Sequence, residues 1–114
     1  MGRQRKLKLP QNVEAALAEL KVALRNLYGE RLRGIYLFGS YARGDYREDS
    51  DVDVLIVLAG AVRPGEEINR YSRIVAEISL HHDLLISTVP VAEEWFRQQV
   101  EPLYENVMRE GVAV

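Results

Sequence analysis

The chain has 114 residues and a mass of 13.0 kDa; 47% of its side chains are apolar, 28% are charged, and its formal net charge is −2 at pH 7. This is the composition of one ordinary globular domain, long enough to bury about two-thirds of its unfolded surface in a single core; it excludes a disordered tail, a collagen-like fibre and a large enzyme with a separate domain for each substrate. The absence of cysteine excludes disulfides and thiolate metal sites, and the longest apolar run, Val54 to Ala59, falls far short of the ~20 residues that a membrane span needs.

Residues 1–10 carry Arg3, Arg5, Lys6 and Lys8 with no apolar stretch behind them, so they read as a basic, flexible arm and not as a signal peptide. The expected location is cytoplasmic, and the expected organisation is one domain over residues 1–114. Residues 13–28 form the first element: Val13, Ala16, Leu17, Leu20, Leu24, Leu27 and Tyr28 recur at helical spacing, with Asn12 placed as an N-cap and Gly29 as a C-cap. After a turn at 30–34, Ile35 to Phe38 reads as a short strand between Gly34 and Gly39. Gly39 to Gly44 reads as a turn opening a short helix, and 45–50 as a polar loop.

Asp51 to Leu58 is the second strand. It is apolar on both faces beyond its start, so it belongs in the middle of a covered sheet. A helix over 66–80 follows the Pro64-Gly65 turn, with Ile68, Tyr71, Ile74, Val75 and Ile78 as its apolar stripe. A third strand is expected from His82 to Val89, stopping at Pro90, and two helical pieces cover 91–99 and 101–109, with Pro102 suited to a first helical turn. The order α-β-α-β-α-β-α defines an α/β (α+β) domain, a small sheet of three or four strands covered by helices. Periodicity leaves the strand directions open; about a dozen residues between the first two strands are barely enough for a parallel crossover.

The chemistry concentrates in Gly39 to Val57, GSYARGDYREDSDVDVLIV. Asp51 and Asp53 stand two apart at a strand start, so both carboxylates share one face and Val52 and Val54 the other. Two such carboxylates repel, and a divalent cation relieves the repulsion; Mg²⁺ takes sites of one or two carboxylates completed by water and phosphate. Gly39 and Ser40, between a strand and a helix start, offer backbone N–H groups and a hydroxyl to an anion. A phosphate cradle beside a metal site is the minimum apparatus of phosphoryl or nucleotidyl transfer. Asp83, at the expected start of the third strand, would add a third carboxylate if that strand lies beside the second.

Gly39-Ser40, ten residues, then Asp51-x-Asp53 resembles the signature of the DNA polymerase β-like nucleotidyltransferase superfamily, and G-S-x-A-R-G leading into S-D-x-D resembles its smallest branch, the minimal nucleotidyltransferases. The C-terminal PLYENVMREGV is similar to the way these proteins end. The resemblance implies an enzyme that binds an NTP, with ATP as donor, together with Mg²⁺ (two ions), and transfers a nucleoside monophosphate to a hydroxyl with release of pyrophosphate. It implies that Gly39, Ser40 and Arg43 hold the nucleotide and that Asp51, Asp53 and Asp83 hold metal and carry catalysis. It also implies a partner, a HEPN-domain toxin encoded nearby, which such proteins silence as antitoxins by moving AMP onto one of its tyrosines.

Two other functions fit the same residues: an antitoxin acting by stoichiometric binding with little catalysis, and nucleotidyl transfer to a small molecule or an RNA end. The acidic C-terminal half, five Lys/Arg against nine Asp/Glu over residues 58–114, argues against RNA. Arg43 and Arg47 are almost as well suited to surface salt bridges with Asp45, Glu48 or Asp49 as to phosphate. Tyr41 and Tyr46 fit either base stacking or packing. His81-His82 raises the question of zinc, but neighbouring residues on a strand point opposite ways, which favours one surface histidine and one packed histidine. Trp95, Phe96, Leu103 and Tyr104 are expected mostly in the core.

Overall fold

The computed structural model describes residues 8–114; residues 1–7, with Arg3, Arg5 and Lys6 of the basic arm, lie outside it. The elements are α1 (Gln11–Tyr28), a 3₁₀ turn (Gly29–Arg31), β1 (Leu32–Phe38), α2 (Ser40–Arg43), β2 (Val52–Leu58), α3 (Pro64–His81), β3 (Ile86–Ala92), α4 (Glu93–Arg97), α5 (Pro102–Glu110) and β4 (Val112–Ala113). The expected alternation is present, with the last helical region in two pieces and a short fourth strand in addition. The sheet runs β3-β2-β1-β4. β1 pairs antiparallel with β2 and β4, and β2 pairs parallel with β3. The sheet is therefore mixed, and the loop after β1 returns the chain alongside itself without a crossover.

β2 lies between β1 and β3, and every residue in it except Asp53 is buried. Its alternating side chains divide the core into two. Val52, Val54, Ile56 and Leu58 pack with Val13, Leu17, Leu20 and Leu24 of α1 and Tyr71, Val75 and Ile78 of α3. Leu55 and Val57 face the other way and pack with Tyr36, Phe96, Tyr104 and Val107. Asp53 shares the period-two face of Leu55 and Val57, which puts it on the side covered by α5.

Several sequence expectations shift for identifiable reasons. β3 starts at Ile86, not His82, and continues through Pro90 to Ala92. Pro90 pairs in register with Ile56, and a proline is tolerated there because β3 is the edge strand of the sheet among the described residues. Residues 82–85 complete the descent from α3, and Asp83 adopts φ 54° in that turn. The α1 N-cap is Pro10; Asn12 instead donates from Nδ2 to the carbonyl of His82 at 3.1 Å. Leu27 and Ile68, expected on buried stripes, are each 40% exposed, and Trp95 is 56% exposed.

The polar group that replaces Ile68 inside is Glu67, 3% exposed. Its carboxylate accepts from Tyr28 Oη at 2.9 Å, Arg31 Nη2 at 3.2 Å and Arg70 Nη1 at 3.1 Å. Arg31 also donates to the carbonyls of Ala59 and Ala61, so Glu67 ties α1, the end of β2 and α3 together. Burial by itself would raise the Glu67 pKa; the Tyr28 hydroxyl and the Arg31 and Arg70 cations outweigh it and hold the carboxyl below the ordinary glutamate value. A depressed folded-state pKa means that this stabilisation is present above the unfolded-state value and is lost as pH falls through the folded one. Glu67→Gln is therefore expected to cost about 2 kcal/mol at pH 7. Urea denaturation at pH 7 and at pH 3 checks both points: the gap between wild type and variant should narrow in acid.

Candidate active site

The antiparallel register of β1 and β2 sets Phe38 opposite Asp53. The residue after Phe38 is Gly39, so the turn into α2 begins beside the Asp53 carboxylate. Gly39 has φ 74° and ψ −153°, a backbone region occupied essentially by glycine alone. A Cβ at Gly39 would also collide with Asp53 Oδ2. Glycine is required there twice over, by the torsion angles and by the close approach. The Gly39 carbonyl accepts from the amides of Ala42 and Arg43, and Gly44 closes the short helix with its N–H on the Ser40 carbonyl. Further on, the Ser50 hydroxyl accepts from the Arg47 amide at 2.7 Å and the Ser50 amide donates to the Arg47 carbonyl at 3.0 Å, fixing the chain just ahead of Asp51.

These residues line one cleft of about 530 Å³: Gly39, Ser40, Arg43, Ser50, Asp51 and Asp53 on one wall, Leu103, Asn106 and Glu110 of α5 among those on the other. Asp51 is exposed and Asp53 half-buried. Burial, and then the neighbouring Asp51 carboxylate, push the Asp53 pKa up, and Arg43 opposes them. Arg43 faces the cleft while donating from Nε to Asp45 Oδ2 at 3.3 Å. Both uses anticipated for it, ion pair and site cation, are thus geometrically available. Tyr41 and Tyr46 stack on each other with centroids 4.4 Å apart, and Tyr41 is buried; both belong to the packing beneath the loop.

Of the residues singled out from sequence, Gly39, Ser40, Arg43, Asp51 and Asp53 come together. Asp83 does not line the cleft: it is exposed in the turn after α3, three residues before β3 begins. The β3 residue in register with Asp53 is Ser87, and its hydroxyl donates to Asp51 Oδ2 at 3.4 Å. Ser87, Asn106 and Glu110 escaped sequence reasoning because only strand register and the docking of α5 bring them here. Asp51 and Asp53 are two neighbouring carboxylates on one wall of the cleft, a donor chemistry that suits a hard divalent cation such as Mg²⁺, and their like-charge repulsion is a reason to take one up.

The nucleotidyltransferase domain profile matches residues 17–114. The chain is 37% identical over 101 residues, 88% of its own length and 95% of the other's, to the Methanocaldococcus jannaschii protein named "Putative protein adenylyltransferase MJ0604". Its fold matches a solved structure described as a "putative minimal nucleotidyltransferase" with a TM-score of 0.61 at 24% identity, over 93% of this chain and 97% of that one. It also matches a chain from a toxin–antitoxin complex solved with AMP-PNP, TM-score 0.62 at 22% identity, over 84% of this chain and 69% of that one. The protein belongs to the nucleotidyltransferase domain family and is a nucleotidyltransferase.

Gly39→Ala tests the close approach at the centre of the cleft. The forbidden torsion should cost about 1–3 kcal/mol, and displacement of the Asp53 carboxylate should abolish Mg²⁺ binding at the cleft in a chain that remains folded, measured by thermal melting and Mg²⁺ titration. A second test follows from the coupling of the carboxylates. Carboxyl-carbon NMR titration should find Asp53 above the ordinary aspartate range, and Asp51→Asn should bring it down.

Proposed function

We propose that this protein is a Mg²⁺-dependent protein adenylyltransferase that moves AMP from ATP to a tyrosine hydroxyl of a HEPN-domain toxin and so acts as its antitoxin, in the cytoplasm. The observation that carries the reading is the register contact that sets Gly39-Ser40 against Asp53. One cleft thereby places a turn suited to an anion beside a carboxylate pair suited to a cation. The protein adenylyltransferase name of the full-length relative supports AMP and a protein acceptor, and the toxin–antitoxin likeness supports the fold in which such a pair is built.

In this reading the Ser40 hydroxyl and the backbone of the Gly39 turn bind the triphosphate, and Arg43 adds a cation to its outer charge. Asp51 and Asp53 hold Mg²⁺, which supplies charge neutralisation at the phosphates and lowers the pKa of a bound hydroxyl. Ser87 orients Asp51 through its hydrogen bond. The acceptor tyrosine enters from the open side of the cleft, past Asn106 and Glu110; its oxygen bonds to the α-phosphorus, the bond from the α-phosphorus to the bridging oxygen breaks, and pyrophosphate leaves. The phenolic proton passes to a carboxylate at the cleft. Asp83 enters this scheme as a third carboxylate only if the α3–β3 turn rearranges when the partner binds.

Co-expression with the HEPN protein and intact-mass measurement test the proposal. Wild type should add whole AMP units to the partner; the Asp51→Asn, Asp53→Asn double variant should add none while keeping its circular dichroism. A partner that stays unmodified yet is silenced would replace catalysis with stoichiometric neutralisation. Ser87→Ala should weaken Mg²⁺-dependent transfer by about tenfold, as loss of an outer hydrogen bond to a metal ligand does, whereas Asp83→Asn should leave the rate near wild type if the turn stays as it is seen here.

A further inference from the structure

The two histidines set aside on strand geometry are not on a strand. His81 ends α3 and His82 is its C-cap, and their rings lie side by side with centroids 4.7 Å apart. Both turn toward one residue of the neighbouring helix, Glu19 in the third turn of α1. His81 Nδ1 is 3.6 Å from Glu19 Oε1, and His82 Nε2 is in close contact with Glu19 Oε2. One ligand atom from each of the three residues lies within 4.8 Å of the others. None of the three lines the cleft of Asp51 and Asp53.

We propose that Glu19, His81 and His82 form a second metal site, specific for a borderline divalent transition metal such as Zn²⁺ and independent of the catalytic reading above. Two imidazole nitrogens and a carboxylate are a ligand set that zinc takes with water in its fourth position. Nitrogen donors select zinc, nickel or copper, whereas Mg²⁺ prefers oxygen. With the facing imidazole nitrogens unprotonated, their lone pairs converge with the carboxylate oxygens, and a single cation can take the place of the proton that otherwise joins histidine to glutamate. The end of α3 also carries the negative pole of the helix, which favours a cation there.

The ligands are held in place by the fold. α1 and α3 share one core through Val13, Leu17, Tyr71 and Ile78, and Asn12 pins the His82 carbonyl at 3.1 Å. The His82 side chain is 15% exposed and that of His81 71%, so the outer coordination position opens to solvent. Metal bound here ties α1 to the end of α3, immediately before the turn that leads into β3 and Ser87. The site thus braces the segment behind Asp51 without contributing to the cleft itself.

The test uses tag-free, chelator-treated full-length protein and Zn²⁺ alone in titration calorimetry, with excess Mg²⁺ present to fill the cleft. The wild type and the Asp51→Asn, Asp53→Asn variant should each bind one Zn²⁺ per chain, and the melting temperature should rise with Zn²⁺ in both. The His81→Ala, His82→Ala variant should bind at least about tenfold more weakly and lose the rise; Glu19→Gln should weaken binding in the same direction while keeping the helix contact. Co²⁺ bound to the wild type should show visible absorption of tetrahedral intensity. Absence of Zn²⁺ binding by the wild type would overturn the proposal in favour of a simple ion pair. So would equal binding by the double-histidine variant, or loss of binding in the cleft variant alone.

Discussion

The antiparallel pairing of β1 with β2 is the constraint on which the site depends. With Phe38 opposite Asp53, the end of one strand and the start of the next occupy the same edge of the sheet. The chain between them must turn within a few ångströms of the Asp53 carboxylate, and only a residue without a side chain can make that turn. Shifting the pairing by one residue would send Asp53 to the α1 and α3 side and put Val52 or Val54 in its place. The hydrophobic alternation of β2 forbids that shift, because Val52, Val54, Ile56 and Leu58 fill one core and Leu55 and Val57 the other. Core packing therefore holds the Asp53 carboxylate at the cleft.

The electrostatics follow from the same placement. A carboxylate half-buried at the end of a central strand loses hydration, and Asp51 two residues away adds like-charge repulsion; both raise the pKa of Asp53. Arg43, from the helix that Gly39 starts, is the counter-charge the loop supplies. The molecule treats Glu67 in the opposite way. There a buried carboxylate receives a hydroxyl and two guanidinium groups, and its pKa falls. One acid is fully paired and serves as a structural tie, whereas the other is left under-compensated where a cation can reach it.

Much of this was legible in the sequence because it rests on local signals. The period-two spacing of Asp51 and Asp53, the helical stripes of α1 and α3 and the glycine after Phe38 each report geometry over a few residues. What was not legible depends on register and edge position. Pro90 reads as a strand terminator, yet an edge strand has a side on which a missing N–H goes unnoticed, so β3 runs later than expected and carries Ser87, not Asp83, beside the carboxylates. The histidine pair was misplaced for the same reason: assigned to a strand, its side chains diverge, but at the end of a helix they converge. Ile68 and Glu67 exchanged places because an amphipathic stripe does not reveal that Arg31 and Tyr28 wait inside for a carboxylate.

The far wall of the cleft depends on the last four residues in a way that no local signal announces. Gly111 donates its N–H to the Val107 carbonyl at 2.7 Å, and a Cβ there would collide with that same carbonyl. This tight exit from α5 lets Val112 and Ala113 drop into the sheet against Leu37 and Tyr36, while Val114 donates to the Ile35 carbonyl at 2.9 Å. The two-residue β4 is too short to be stable alone, but it is anchored on Tyr36 and Leu37 of β1, at the end that leads into Gly39. β1 thus contributes to both walls: its C-terminal end launches the Gly39 turn, and its pairing with β4 helps to hold α5, with Asn106 and Glu110, across the opening. Tyr104 and Val107 of α5 pack with Leu55 and Val57 of β2 as well, so the far wall rests on core packing and the β4 pairing together.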